Sequence, residues 1–407
     1  MKAADLDISA LRGLCNRSST YRIVFFAISA FIEVHYRIET EMEHIVIEEQ
    51  SKTSDAKDVI IAAYKGLLGR DPDKNGMSSY LELLEKNSIS YEDLIRQIST
   101  SDEFKTIHGY IHTYGSSGRE AMDVFRQFRK YEGPGRAGFV TNFLGCVSNV
   151  NHVGLASHSG LVESFPFPGN FHGAALEWIA VLRSVLDARE RFSMIELGAG
   201  WAPWSAIGYA AAKQKGLSAH VIPIEGDRGH IDYIHHSFRE NSIPDSDADV
   251  IHGVIGVEDG IARFPRAAQA GHVYGAAAAF SGEGNDGDAF GTFLRHHSGL
   301  IAEIEEVACY SLATVLDGKG TIDLIHCDIQ GAEGDLFERH IDVVTKQVKR
   351  VFIGTHSADL DRRLISLFPK HGWVCEGIVA AKTRDDPHGD PMLVADGDQV
   401  WRNPAFF

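Results

Sequence analysis

Apolar residues recur at helical spacing in Val59, Ile60, Ala63 and Leu67, which predicts a helix ending before the Arg70-Asp-Pro-Asp-Lys-Asn-Gly76 turn. Two more helical patterns follow, Ser79 to Glu85 and Tyr91 to Ile98, the second opened by Ser90 with Asp93 three residues on, a capping pair. These predict a small all-helical domain over residues 55–115. Before it, residues 1–54 end in the polar Ser51-Lys-Thr-Ser-Asp55 linker and predict a helical or poorly ordered leader. Residues 116–170, with Glu132-Gly-Pro-Gly-Arg136 and Phe165-Pro-Phe-Pro-Gly169, predict an irregular connector or cap. The pattern then changes. Leu176, Ile179, Ala180, Leu182, Val185 and Leu186 mark an amphipathic helix, and short apolar runs alternate with helical patterns to residue 407. The expected fold is therefore α/β, a Rossmann-like doubly wound sheet over residues 171–407, preceded by the small all-α domain. Within it, Arg266 to Glu306 is too long for an ordinary connection and too rich in Gly and Ala for a core strand, so it reads as a lid over an acceptor site.

Composition narrows the class. The 407 residues are 44% hydrophobic and 23% charged, enough apolar material for a large core. A net charge of −17 repels phosphate backbones, so nucleic acid is not expected as substrate. The longest early apolar run, Ile23 to Ile32, is half the roughly 20 residues that cross a bilayer as a helix. No transmembrane segment is expected. Asp5 and Asp7 spoil the basic leader that a signal peptide would need. Five widely spaced cysteines with no CxxC pair fit a reducing, cytoplasmic setting.

The chemistry concentrates at strand ends. Met194-Ile-Glu-Leu197 runs as a strand into Gly198-Ala-Gly-Trp-Ala-Pro-Trp204, and a helix follows from Ser205. Gly198 and Gly200 allow the sharp turn and close approach to a ligand that a cofactor cradle needs, and Pro203 suits the first helical turn. The next strand, His220 to Ile224, ends in Glu225, where an acid grips ribose hydroxyls, with Asp227 the near alternative. A nicotinamide site has nearly the same features. Two details favour a cationic cofactor such as S-adenosylmethionine: Glu196 stands inside the first strand, and Pro203 replaces the third glycine of GxGxxG. Further on, Ile322 to Asp328 and Val351 to His356 are strands ending in titratable groups, and Asp328 is expected to face the Gly198 loop.

The MIELGAGWAPW, GVEDGIARF and DLIHCDIQGAEGDLF stretches, in that order, resemble the FkbM family of S-adenosylmethionine-dependent methyltransferases over about 235 residues from His172. The resemblance implies O-methylation of a sugar or small natural product. It departs at His326, where the family pattern has Lys, and at Ala202, where many methyltransferases have Gly. Glu196 is then expected near the cofactor's ammonium, Gly198, Ala199 and Gly200 along its methionine part, Glu225 on its ribose, and Asp259 near its adenine. Asp328 or His356 would serve as base, with Asp328 preferred, while Asp328 and Glu333 holding a divalent metal is an alternative that is not the expectation. The acceptor is expected to be a small molecule or a glycan. Two other readings stay open: a NAD(P)-dependent oxidoreductase, and a catalytically silent docking protein.

The helical domain resembles a short bacterial domain of unknown function, on Leu67-Leu-Gly-Arg70, Asp71-Pro-Asp73, Gly76 and Ser101-Asp-Glu-Phe104. It is a candidate for protein contacts or oligomerisation. Asp71, Asp73, Asn75 and Glu82 also match an EF-hand calcium loop. Against calcium, Pro72 stiffens the loop and no second loop pairs with it. The plainer reading is a turn whose acids cap the next helix.

Overall fold

The computed structural model describes residues 54–68, 70–99, 101, 103, 123–163, 173–280, 288–297, 299–385 and 391–407. The Ile23–Ile32 run lies outside them. The chain divides into two compact units, residues 1–109 and 110–407. No helix among the described residues is long and apolar enough to cross a membrane.

The first unit holds α1 (Ser54–Leu68), α2 (Lys74–Glu85) and α3 (Tyr91–Ser99). Its core is built from Val59, Ile60, Ala63 and Leu67 of α1 with Leu94 and Ile98 of α3. Ser90 and Asp93 form the reciprocal cap at the start of α3, at 3.0 and 3.1 Å. The calcium loop does not form. Asp73 accepts the Gly76 N–H at 2.8 Å and caps α2, so the chain is helical from Lys74, where a calcium loop would have to curl around its ion. Glu82, nine residues into that helix, pairs instead with Lys86. Millimolar calcium is expected to leave the melting temperature unchanged, because an ion without a site in the folded state adds no stability; a rise of several degrees would contradict the capped-turn geometry.

The second unit opens with a short antiparallel pair, β1 (Phe139–Thr141) and β2 (Val147–Asn149). There follow α4 (Ala175–Asp187), β3 (Arg191–Leu197), α5 (Pro203–Gln214), β4 (Ser218–Glu225), α6 (Arg228–Glu240), β5 (Ile251–His252), β6 (Val254–Gly256) and β7 (Gly260–Ala267). Next come β8 (Ala279–Phe280), α7 (Asp288–His297), β9 (Ile301–Ser311), α8 (Leu312–Leu316), β10 (Ile322–Cys327), α9 (Glu333–Gln347) and β11 (Val348–Thr355). The unit closes with α10 (Ala358–Lys370), β12 (Val374–Val379), β13 (Lys382–Asp385), β14 (Pro391–Ala395) and β15 (Gly397–Arg402).

The main sheet has seven strands in the order β12-β15-β11-β10-β3-β4-β5. Only β15 runs against the others, antiparallel to both β11 and β12. The chain order reverses between β3 and β10, which places a ligand crevice outside their carboxyl ends. Side chains alternate between faces. Ile195, Leu197, Ile325, Cys327, Val351 and Ile353 join a core with Leu336, Phe337, Leu364 and Phe368 of α9 and α10. The opposite face carries Glu196, His326, Arg350 and Phe352 toward α4 and α5, and its polar members are partnered: Arg350, 1% exposed, binds Asp187 of α4 at 2.8 Å and Glu376 of β12 at 2.6 Å.

Of the stretch read as a lid, Ala279–Phe280 form β8 and Asp288–His297 form α7. Its outer parts belong to β7 and β9, which pair in a second sheet of order β6-β9-β7-β8. The first half of β9 escapes a reading by hydropathy because Glu303 and Glu305 face Arg266 across the strands instead of a core. Residues 281–287, which include the glycine-rich tip, lie outside the described residues.

Candidate functional site

A cleft of about 220 Å³ opens at the carboxyl ends of β3, β4 and β10. Its floor is the β3–α5 turn. Gly198 has φ +73°, and a Cβ there would stand 2.0 Å from the carbonyl oxygen of Asp328. Only glycine lets the turn pass this close to the end of β10. Gly200 also takes a positive φ, +58°, and its N–H donates to Glu225 Oε2 at 2.7 Å. Ala199 is buried beneath, its N–H on the Ile224 carbonyl. Ala202, before α5, takes φ +56° although it is not glycine, a conformation that costs an L residue about 1–2 kcal/mol.

Because β4 and β10 flank β3 on opposite sides, Glu225 and Asp328 mark the two ends of the cleft. At the first end, Glu225 accepts the Gly200 and Asp227 N–H groups, each at 2.7 Å. His230 Nδ1 stands 3.6 Å from it. Burial works against charging His230, but Glu225 outweighs this and raises its pKa. His230 stacks on Tyr274, which belongs to the segment before β8 and lines the same cleft. Asp227 caps α6 through the Gly229 N–H at 2.7 Å.

Toward the other end, Glu196 is buried under the turn. It accepts the Ser205 N–H at 2.7 Å and the Trp204 N–H at 3.3 Å, bracing the start of α5. Burial pushes its pKa up to about 7, with His326 and these hydrogen bonds opposing. Beside it His326, stacked on Trp204 and Phe352, meets Glu177 Oε1 at 3.0 Å through Nε2. Burial lowers the pKa of His326 to about 4, which favours the neutral ring. Glu177 also accepts the Ala174 N–H at 3.2 Å. Burial, with Asp328 and Asp396 adding to it, holds the Glu177 carboxyl well above the usual carboxylate range.

Asp328 is the open carboxylate at this end, 39% exposed. Gln330 donates to its Oδ1 at 2.8 Å and His356 Nε2 lies 3.2 Å from the same atom. The other ring nitrogen of His356 lies 3.3 Å from Glu333 Oε1. Burial disfavours charging His356, yet Asp328 and Glu333 together raise its pKa to about 11. A proton held this way is hard to give up in exchange, which makes His356 a weaker candidate base than Asp328. Burial alone would raise the pKa of Asp328, but His356 beside it brings the net shift below the usual range.

Two further expectations change. Glu333 is fully buried and does not line the cleft; its carboxylate ties down the turn after β10 through the Ile329 and Gly331 N–H groups, both at 2.9 Å. Asp259 also lies outside the lining. It accepts the Ser311 N–H at 2.7 Å and the Thr314 hydroxyl at 2.6 Å, holding the start of α8, so its carboxylate is committed to a helix cap where an adenine contact was expected. Glu177 is the lining residue that the sequence reading missed. The signal was there, as a lone acid inside the apolar run from Ala174 to Leu182. Among the described residues lining the cleft there are five carboxylates, Glu177, Glu196, Glu225, Asp227 and Asp328, and no Lys or Arg.

Residues 47–108 match the family model described as a domain of unknown function, DUF4214. A protein of Jannaschia sp. (strain CCS1) named "Putative methyltransferase" is 34% identical over 282 residues, which span 69% of this chain and 98% of that protein. Among solved structures, a precorrin-6y C5,15-methyltransferase from Geobacter metallireducens GS-15 aligns at 11% identity and TM-score 0.31 over 59% of this chain and 91% of its own. The methyltransferase FkbM from Methylobacillus flagellatus KT aligns at 15% identity and TM-score 0.29 over 55% of this chain and 54% of its own. At these scores neither structure bears on the site. The identity and coverage shared with the Jannaschia protein show that this chain belongs to that protein's methyltransferase family.

Proposed function

We propose that the chain methylates a hydroxyl oxygen of a sugar or small natural product, with S-adenosylmethionine as donor. The observation that carries the choice of cofactor is the cleft lining: five acidic side chains can answer a sulfonium and an ammonium, and the lining offers no Lys or Arg to pair with a pyrophosphate. This disfavours the nicotinamide reading. Glycine at 198 lets the turn pass against the end of β10, where a Cβ would meet the Asp328 carbonyl, and both glycines permit the positive φ that the turn needs. The FkbM assignment is supported by the motifs: MIELGAGWAPW builds the floor of the cleft and DLIHCDIQGAEGDLF its Asp328 end, while GVEDGIARF runs from the last residue of β6 into β7.

When bound, S-adenosylmethionine supplies an electrophilic methyl group. The protein's part is binding, orientation and proton management. Glu225 holds the ribose hydroxyls with the lone pairs that the Gly200 and Asp227 N–H groups leave free. Glu177, pushed toward its neutral form by burial in the free cleft, ionises against the ammonium, which favours its charged form. Glu196, expected near the ammonium, is instead assigned to fixing the turn from below, its carboxylate taken by the Ser205 and Trp204 N–H groups. Asp328 faces the acceptor and takes its hydroxyl proton; a carboxylate suffices, because that proton becomes acidic as the oxygen is alkylated. His356 and Gln330 orient Asp328. Holding donor and acceptor in line accounts for most of the acceleration.

Glu177→Gln tests the ammonium assignment. The variant is expected to bind S-adenosylmethionine and S-adenosylhomocysteine about tenfold or more weakly, the scale of a lost charged hydrogen bond. Its affinity for 5′-methylthioadenosine, which lacks the ammonium, should not change. Calorimetry on the three ligands separates the outcomes; equal losses for all three would place Glu177 in a merely structural role.

A further inference from the structure

We infer that His356 and Asp328, with Glu333 behind the imidazole, form a divalent-metal site at the acceptor end of the cleft. Ligand atoms of the three residues all lie within 4.8 Å of one another. His356 supplies the independent observation. Its side chain is 10% exposed, and neither ring nitrogen makes a well-formed hydrogen bond, although carboxylate oxygens stand at 3.2 and 3.3 Å. A buried imidazole surrounded by oxygens that it does not engage along its N–H directions has the environment of a ligand.

The two ring nitrogens differ. Nδ1 faces Glu333, which two backbone N–H groups hold in place and whose full burial keeps it from solvent. Nε2 faces Asp328 at 3.2 Å and Asp396 at 3.9 Å, and both of these are partly open to solvent. Carboxylate, imidazole and metal in series is the usual arrangement at protein metal sites, the rear carboxylate fixing the tautomer and raising the basicity of the ligating nitrogen. Glu333 fills the rear place, and the ion sits between Nε2 and Asp328, with Asp396 3.9 Å from Nε2. One imidazole with carboxylate oxygens selects Mn²⁺, Fe²⁺ or Zn²⁺ over Ca²⁺ or Cu⁺. Because Asp328 lines the cleft, an acceptor with two adjacent oxygens, a vicinal diol or a hydroxy acid, reaches the ion and has its hydroxyl acidified. That last role rests on the methyl-transfer reading; the site itself does not. A proton on His356 and an ion at Nε2 compete for one position.

The test uses the full chain, stripped with chelator and titrated with Mn²⁺, free ion being read by electron paramagnetic resonance. The wild type is expected to bind one Mn²⁺ per chain. Asp328→Asn, a near-isosteric change at a partly exposed side chain, is expected to weaken binding about 10- to 100-fold, and His356→Gln likewise. Asp249→Asn, at a surface carboxylate paired with Lys319 and His220, should leave binding unchanged. Wild-type protein that leaves Mn²⁺ and Zn²⁺ free, or binding that Asp328→Asn does not weaken, would overturn the site and leave the His356 proton as the cation there. S-adenosylmethionine titrated into the same metal-free samples reports on the cofactor reading separately. Metal binding without donor binding would keep the site and sink the methyl-transfer role.

Discussion

Gly198→Ala is expected to weaken S-adenosylmethionine binding by about a hundredfold or more, the scale of an ångström-sized displacement in a ligand site. The added methyl would stand 2.0 Å from the Asp328 carbonyl oxygen, so the turn and the end of β10 must separate. Positive φ adds strain of about 1–2 kcal/mol for an L residue, and the melting temperature should fall as well. Ala202 is the internal control. It already occupies a left-handed conformation, so Ala202→Gly should be neutral or stabilise by about 1 kcal/mol and leave binding intact. Calorimetric titration and scanning calorimetry on both variants check the pair. A Gly198→Ala protein with wild-type affinity would show that the turn does not touch the ligand.

The second large effect concerns stability. Arg350 is a buried guanidinium whose partners, Asp187, Ser184 and Glu376, come from α4 and β12. Arg350→Ala leaves Glu376, only 10% exposed, with Arg183 and Arg402 at 3.5 and 3.3 Å as remaining cations, and opens a cavity beside β11. The expected loss is about 3–5 kcal/mol, as for other broken buried pairs. Arg350 lies near the start of β11 and the cleft at the far end of the sheet, so the folded fraction should bind S-adenosylmethionine normally. Denaturant unfolding followed by fluorescence measures the loss; a change under about 1 kcal/mol would mean that the pairs are no better than surface ones.

The sequence is most readable where one physical rule dominates. Parallel strands buried on both faces are near-continuous apolar runs, so β3, β4, β10 and β11 and their terminal residues stand out. The capping pair at Ser90 and Asp93 is legible because it is local. Reading fails where partners come from far along the chain. The first half of β9 looks polar because its acids meet Arg266 on β7. Asp259 looks like a ligand-facing turn residue until Ser311 and Thr314, over fifty positions later, claim its carboxylate. The pattern at Asp71 to Glu82 fits a calcium loop in letters, but the Asp73 cap commits the segment to a helix. The surroundings of His356 are a similar case, since only the fold brings Glu333 and Asp328 to its two nitrogens.

The central claim is that the acid-lined crevice between β4 and β10 takes a cationic adenosyl ligand. Isothermal titration of the full chain with S-adenosylmethionine, beside a matched titration with NAD⁺, tests it most directly. The account predicts one saturable site for S-adenosylmethionine, abolished in Glu225→Ala, and no heat from NAD⁺. Saturable NAD⁺ binding with none for S-adenosylmethionine would contradict it.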